Sequence, residues 1–214
     1  MICYHLNMLL DRRYILGLCG LGLVCGFHSL ASNKIVPTPQ QMKGPFYPEE
    51  IPLDSDNDLI RVRGKRGIAT GQITNLMGTL YGSNGLPIPN ARLEIWQCNA
   101  FGSYTHAEDG GNQDPFFQGF GKTVTDSYGR YRFKTIKPVA YPGRSPHIHM
   151  RIVTAHSELF TQIYVQGEPS NNRDFLLNMI GESSARESLI IPFESEVGRL
   201  NNEIVARFNP VVLI

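Results

Sequence analysis

The stretch Tyr141-Pro-Gly-Arg-Ser-Pro-His-Ile-His149 gathers side chains that can do chemistry. A strand sends alternate side chains to one face, so His147 and His149 can both point at one metal. On the same logic Ile148, Met150 and Ile152 face the other way and form core. Tyr104, in Asn99-Ala-Phe-Gly-Ser-Tyr-Thr-His106, is a further candidate ligand. Taken one at a time these residues have plainer roles. A bare His-x-His pair suits zinc or copper if it binds metal at all. Tyr141 fits a core tyrosine with its hydroxyl satisfied, Tyr104 a surface aromatic, and Arg144 a solvated cation. Together, two phenols and two imidazoles select an oxidised, hard metal, with ferric iron the first expectation. A free tyrosine ionises only near pH 10, so it ligates at neutral pH where a strong cation displaces its proton. Two phenolates and a hydroxide would neutralise Fe(III), and imidazoles complete the sphere without adding charge.

Short strands must position such a set. Residues 69–81, 91–98, 130–134, 146–154, 160–165 and 203–208 carry strand patterns separated by turn signals. In 91–98, Leu93 and Ile95 share a face; in 130–134, Tyr131 and Phe133 point one way and the cations the other. Only residues 172–180 carry a short-helix pattern. The fold class is therefore all-β: an antiparallel β-sandwich with long loops and at most one short helix.

The 214 residues allow one domain with a sizeable core plus an appendage. A net charge of +1 and no basic stripe give no electrostatic case for nucleic acid. Residues 1–31 are expected to be a signal peptide: Arg12-Arg13, an apolar run from Tyr14, then Ser29-Leu-Ala31 as a small-residue cleavage site. Asp11-Arg-Arg-Tyr-Ile-Leu16 resembles a twin-arginine signal, which points to export into the periplasm or the medium. An uncleaved membrane anchor is the alternative; once the leader is removed no stable membrane partner is expected. Cys3, Cys19 and Cys25 sit in the leader, leaving Cys98 alone and without an internal disulfide. Residues 32–43 are expected to form a linker or extended arm, and residues 44–214 the folded domain that carries the candidate ligands.

Several blocks recur in a familiar order: Leu93-Glu-Ile-Trp-Gln-Cys-Asn-Ala100, Gly102-Ser-Tyr104, Gly121-Lys-Thr-Val-Thr-Asp-Ser-Tyr-Gly129, Tyr131-Arg-Phe-Lys-Thr-Ile-Lys-Pro138, the Tyr141–His149 stretch and Thr161-Gln-Ile-Tyr164. In this order they resemble the intradiol ring-cleavage dioxygenases, closest to the protocatechuate 3,4-dioxygenase type. The resemblance implies a non-haem Fe(III) held by Tyr104, Tyr141, His147 and His149, with Tyr141 and His149 matching the axial pair. It implies that Tyr141 is displaced by substrate and accepts a proton. Arg144 matches an arginine that lies against the substrate, and Gln162 a glutamine near the same pocket. The implied reaction cleaves a catechol-type ring between its hydroxyl-bearing carbons with O2, giving a cis,cis-muconate. The family usually associates, which is compatible with a homodimer.

The protocatechuate enzymes carry a longer loop between the second tyrosine and His-x-His, with an extra Trp and Arg that hold the ring carboxylate. Here the link is only Pro-Gly-Arg-Ser-Pro, so a more open pocket is expected. No counterpart of the catechol branch's large helical N-terminal region is read in this chain. Export suggests external catechols, such as those from lignin or plant phenolics, as substrates. Two rival readings belong to other classes: a catalytically silent metal- or catechol-binding β-sandwich, and a zinc or copper hydrolase or oxidase using the histidines alone.

Overall fold

Two sheets face each other across the apolar residues that the alternation assigns to their inner faces. The computed structural model describes residues 35–106, 109–195 and 202–214. The leader proposed at residues 1–31 lies outside the described residues. The strands are β1 (Ile73–Thr79), β2 (Tyr81–Gly82), β3 (Arg92–Trp96), β4 (Phe120–Val124), β5 (Arg130–Ile136), β6 (His147–Val153), β7 (Glu158–Val165), β8 (Ile190–Ile191), β9 (Phe193–Ser195), β10 (Ile204–Arg207) and β11 (Val211–Val212). One sheet runs β4-β3-β6-β7-β8, the other β5-β1-β10-β9, and β2 pairs with β11.

The core between the sheets takes Leu93 and Ile95 from β3, Ile148, Met150 and Ile152 from β6, and Ile163 from β7. From the facing sheet come Leu76, Tyr131, Phe133 and Ala206. Arg130 and Arg132 remain exposed on the outer face of β5, as its alternation requires.

Four features depart from the expected sandwich. Its heart is antiparallel, but β10 pairs parallel with β1, β8 with β7 and β11 with β2. The expected 69–81 strand is divided at Leu80 into β1 and β2, and the edge strand β4 was not flagged because only Phe120 and Gly121 on it are buried. In place of at most one helix, the described residues include two one-turn helices, α1 (Phe175–Asn178) and α2 (Ser183–Glu187), with a 3-10 turn at Pro169–Arg173. Asp174 separates the 3-10 turn from α1: its backbone is extended and its side chain accepts from Leu177 N. α2 buries only Ala185, so no apolar stripe announces it.

Residues 35–43 carry no regular structure yet lie along the domain. Thr38 N donates to Val211 O, Gln41 N to Phe160 O, and Thr161 Oγ1 to Pro39 O. Gln162 Nε2 donates to Met42 O, which brings Gly44 up to the outer face of β6. Among the described residues no helix is long and apolar enough to cross a membrane.

Candidate metal centre

Because Ile148 points into the core, its neighbours His147 and His149 project from the opposite face of β6, where both are almost fully buried. Register places Trp96 of β3 and Gln162 of β7 on either side of His149, and Tyr164 beside His147. The loop after β3 delivers Tyr104 to the same face: its Oη lies 3.5 Å from His147 Nε2, and the two imidazole Nε2 atoms are 3.1 Å apart. Tyr141 completes the group, its ring 5.7 Å from that of Tyr104 and 5.5 Å from that of His147, centroid to centroid. The four candidate ligands from the sequence are thus brought together.

A tight turn explains how Tyr141 and Arg144 come side by side. Arg144 N donates to Tyr141 O over 2.9 Å, with Pro142 and Gly143 at the corners. Gly143 has φ of 82°, the left-handed conformation that the third position of a type II turn requires. The short Pro-Gly-Arg-Ser-Pro link therefore begins as a β-turn.

The two histidines are held in different ways. His147 Nδ1 lies 2.6 Å from Ser145 O, and since a carbonyl only accepts, Nδ1 carries the proton. His147 Nε2 is then a bare lone pair turned toward the centre. His149 Nδ1 is buried with no hydrogen-bond partner. Its ring is stacked instead on Trp96, 4.8 Å away and inclined by 10°. On its edge, Gly44 has φ of +77°, and a Cβ there would lie 3.3 Å from His149 Cε1.

Electrostatics keep every donor neutral in the absence of a cation. Burial, then Arg144, holds His147 down at about 4. Burial, then His147 and Arg144, holds His149 well below the ordinary imidazole value. Burial first, and Tyr141 next, push the Tyr104 phenol well up. Tyr141 is also raised by burial, against which Arg144 and a hydrogen bond with Tyr104 pull it down. Among the described residues no three His, Cys, Asp or Glu side chains form a group that could hold a metal. A metal at this centre therefore needs the phenols as well as the imidazoles, and this neutral, convergent oxygen and nitrogen set fits a hard, highly charged cation.

Arg144 and Gln162 meet beside the donors. Arg144 Nη2 donates to Gln162 Oε1 at 2.6 Å and to Tyr164 Oη at 3.2 Å. Asp174, fully buried in its side chain, accepts from Arg144 Nε at 2.9 Å and from Ser145 N at 2.9 Å. Burial alone would raise the Asp174 carboxyl, but donation from Arg144, Ser145 and Leu177 outweighs it and the net displacement is downward. Gln41 from the arm donates to Tyr164 Oη over 3.2 Å.

Trp96 and Tyr164 lie within the blocks that carry the family resemblance, whereas Asp174 and Gln41 lie outside them. Asp before an apolar run is a helix N-cap signal, which marks Asp174 locally but says nothing of its contact with Arg144. Cys98 is buried and its thiol is pushed up to about 11 by burial, the state of an inert core thiol. His156 is exposed in the loop between β6 and β7.

Residues 42–211 match the protein-family profile described as Dioxygenase. The chain is 33% identical over 195 residues to the protocatechuate 3,4-dioxygenase beta chain of Burkholderia cepacia, covering 85% of this chain and 83% of that one. It is 31% identical over 180 residues to the catechol 1,2-dioxygenase of Acinetobacter baylyi, covering 72% of this chain but only 52% of that relative, about half its length. Among solved structures, the dioxygenase domain of a dioxygenase–carbohydrate-binding fusion from Streptomyces sp. SirexAA-E aligns with a TM-score of 0.63 at 25% identity, over 84% of this chain and 99% of that one. An intradiol ring-cleavage dioxygenase from Tetranychus urticae shares the fold with a TM-score of 0.67 at 22% identity, over 84% and 95% of the two chains. Profile and sandwich together define a dioxygenase. The chain belongs to the intradiol ring-cleavage dioxygenase family.

Proposed function

We propose that this enzyme cleaves a catechol-type ring between its two hydroxyl-bearing carbons with O2, giving a cis,cis-muconate-type dicarboxylate. In this reading Tyr104, Tyr141, His147 and His149 hold a non-haem Fe(III). The observation that carries it is the meeting of three buried donors: His147 Nε2 lies 3.5 Å from Tyr104 Oη and 3.1 Å from His149 Nε2, with Tyr141 and Arg144 beside them. Bound ferric iron supplies the positive charge that ionises the phenols and draws electron density from a bound catecholate toward attack by O2. The protein's own residues do the rest. Tyr141 is the less buried of the two phenols and lies next to Arg144, which suits its phenolate to accept a proton from a substrate hydroxyl. The Arg144 guanidinium stabilises negative charge that develops on the ring. Gln162, bonded to Arg144, fixes one edge of that guanidinium. Neutral imidazoles at His147 and His149 add donors without charge.

The test is oxygen uptake and muconate formation by the iron-loaded protein across a panel of substituted catechols. Stoichiometric uptake with a ring-opened dicarboxylate supports the reading. Binding without uptake for every catechol would instead make the chain a silent binding module.

We also propose that residues 1–31 direct export, on the strength of Arg12-Arg13 and the apolar run that follows. Cell fractionation tests it: the protein is expected outside the cytoplasm, and the paired change Arg12→Lys with Arg13→Lys should retain it inside. A wild-type protein found wholly in the cytoplasm would contradict export.

A further inference from the structure

Asp174 belongs to none of the motifs that mark the site, and it lies thirty residues beyond Arg144 in sequence. We infer that Asp174 is a positioning residue: it sets the aim of Arg144 and, through the Ser145 peptide, the orientation of His147. The inference rests on the proposed role of Arg144 against the ring substrate. One carboxylate oxygen, Oδ2, takes both Arg144 Nε and Ser145 N at 2.9 Å. The other, Oδ1, takes Leu177 N at 3.1 Å and so anchors the carboxylate to the start of α1. Asp174 has no side-chain exposure and Arg144 only 11%, so each charge needs the other to be buried at all.

The geometry gives this pair two outputs. A guanidinium is planar, so fixing Nε also fixes the plane in which Nη2 reaches Gln162 Oε1 and Tyr164 Oη. The second output runs through the backbone. Pinning Ser145 N orients the Ser145 residue whose carbonyl takes His147 Nδ1 at 2.6 Å, and this leaves His147 Nε2 unprotonated toward the centre. A helix cap alone would need neither the Arg144 nor the Ser145 contact.

The experiment separates positioning from capping with Asp174→Ser, since a serine still caps α1 but cannot reach Arg144. In the metal-free protein, proton-detected nitrogen NMR should show a slowly exchanging Arg144 Nε–H in wild type that Asp174→Ser abolishes. In the iron-loaded protein, Asp174→Ser should lower kcat/KM for catechol by about tenfold, the loss of one charged hydrogen bond. The same change made on an Arg144→Ala background should lower kcat/KM no further. If Asp174→Ser does not fold, Asp174→Asn, which keeps the volume and one acceptor oxygen but loses the charge, should give a smaller loss that Arg144→Ala likewise abolishes. An unprotected Arg144 Nε–H in wild type, or kcat/KM effects of the two substitutions that simply multiply, would overturn the inference. Absence of turnover with any catechol would count against the proposed function, while the metal-free NMR result would still decide whether Asp174 holds Arg144.

Discussion

His147 Nε2 and His149 Nε2 face each other across 3.1 Å. Only one of them can carry a proton in that gap, because two N–H groups would repel. His147 Nδ1 is already committed to Ser145 O, so in the metal-free protein the proton between the rings belongs to His149. For a cation to meet two lone pairs there, with the Tyr104 phenol beside them, the His149 proton must pass to Nδ1, which leaves that imidazole neutral. The Trp96 stack and the Gly44 backbone hold the His149 ring without a hydrogen bond at its buried Nδ1.

That arrangement makes Gly44 sensitive. Gly44→Ala must place a Cβ at φ of +77° and 3.3 Å from His149 Cε1. A loss of about 1 kcal/mol is expected from the left-handed backbone alone. Thermal unfolding of the metal-free protein and retention of iron on dialysis should both fall. An unchanged melting temperature with unchanged retention would mean the arm does not press on His149.

Acid should weaken the metal-free fold in a defined window. Both imidazoles are held below their ordinary value by burial, His147 to about 4, so the folded state keeps them neutral. The unfolded chain takes up those protons below pH of about 6.5. Stability is therefore full above that pH and falls as pH drops from there toward 4. His147 alone contributes about 2 kcal/mol of loss between pH 7 and pH 5. Denaturant titrations at the two pH values measure it, and His147→Gln should reduce the difference, leaving the share that His149 contributes. A wild-type midpoint independent of pH over this range would refute the linkage.

Core and site share one strand, so a core change should show how much the site depends on β6. Ile148 is fully buried between the two histidines and points the other way. Ile148→Ala should cost about 2–5 kcal/mol in urea unfolding. A loss below 1 kcal/mol would show that the strand relaxes around the cavity.

The phenols should be separable from one another in the spectrum of the iron-loaded protein. Tyr104→Phe and Tyr141→Phe are each expected to shift or weaken the visible absorption. Identical spectra for both variants and the wild type would remove the phenols from the ligand set.

Much of the centre was legible because the strand period writes it into the sequence. His147 and His149 alternate with Ile148 and Met150, and the structure keeps that division: the histidines on the site face, the isoleucine and methionine in the core. Tyr131 and Phe133 behave the same way on β5. What the local pattern does not hold is pairing at a distance. The parallel seating of β10 beside β1 joins residues 130 apart, for instance Thr74 with Ile204, and no local periodicity encodes it. Asp174 was missed for the same reason: its signal as a cap is local, while its partners Arg144 and Ser145 come from another loop. The second short helix, α2, escaped because it buries only Ala185.

The visible absorption spectrum of the purified protein loaded with one ferric ion per chain tests the central claim most directly. Tyrosinate-to-iron charge transfer from Tyr104 and Tyr141 should make it red-brown. A colourless protein that nonetheless contains its full complement of ferric iron would contradict the assignment of these four residues as the metal's ligands.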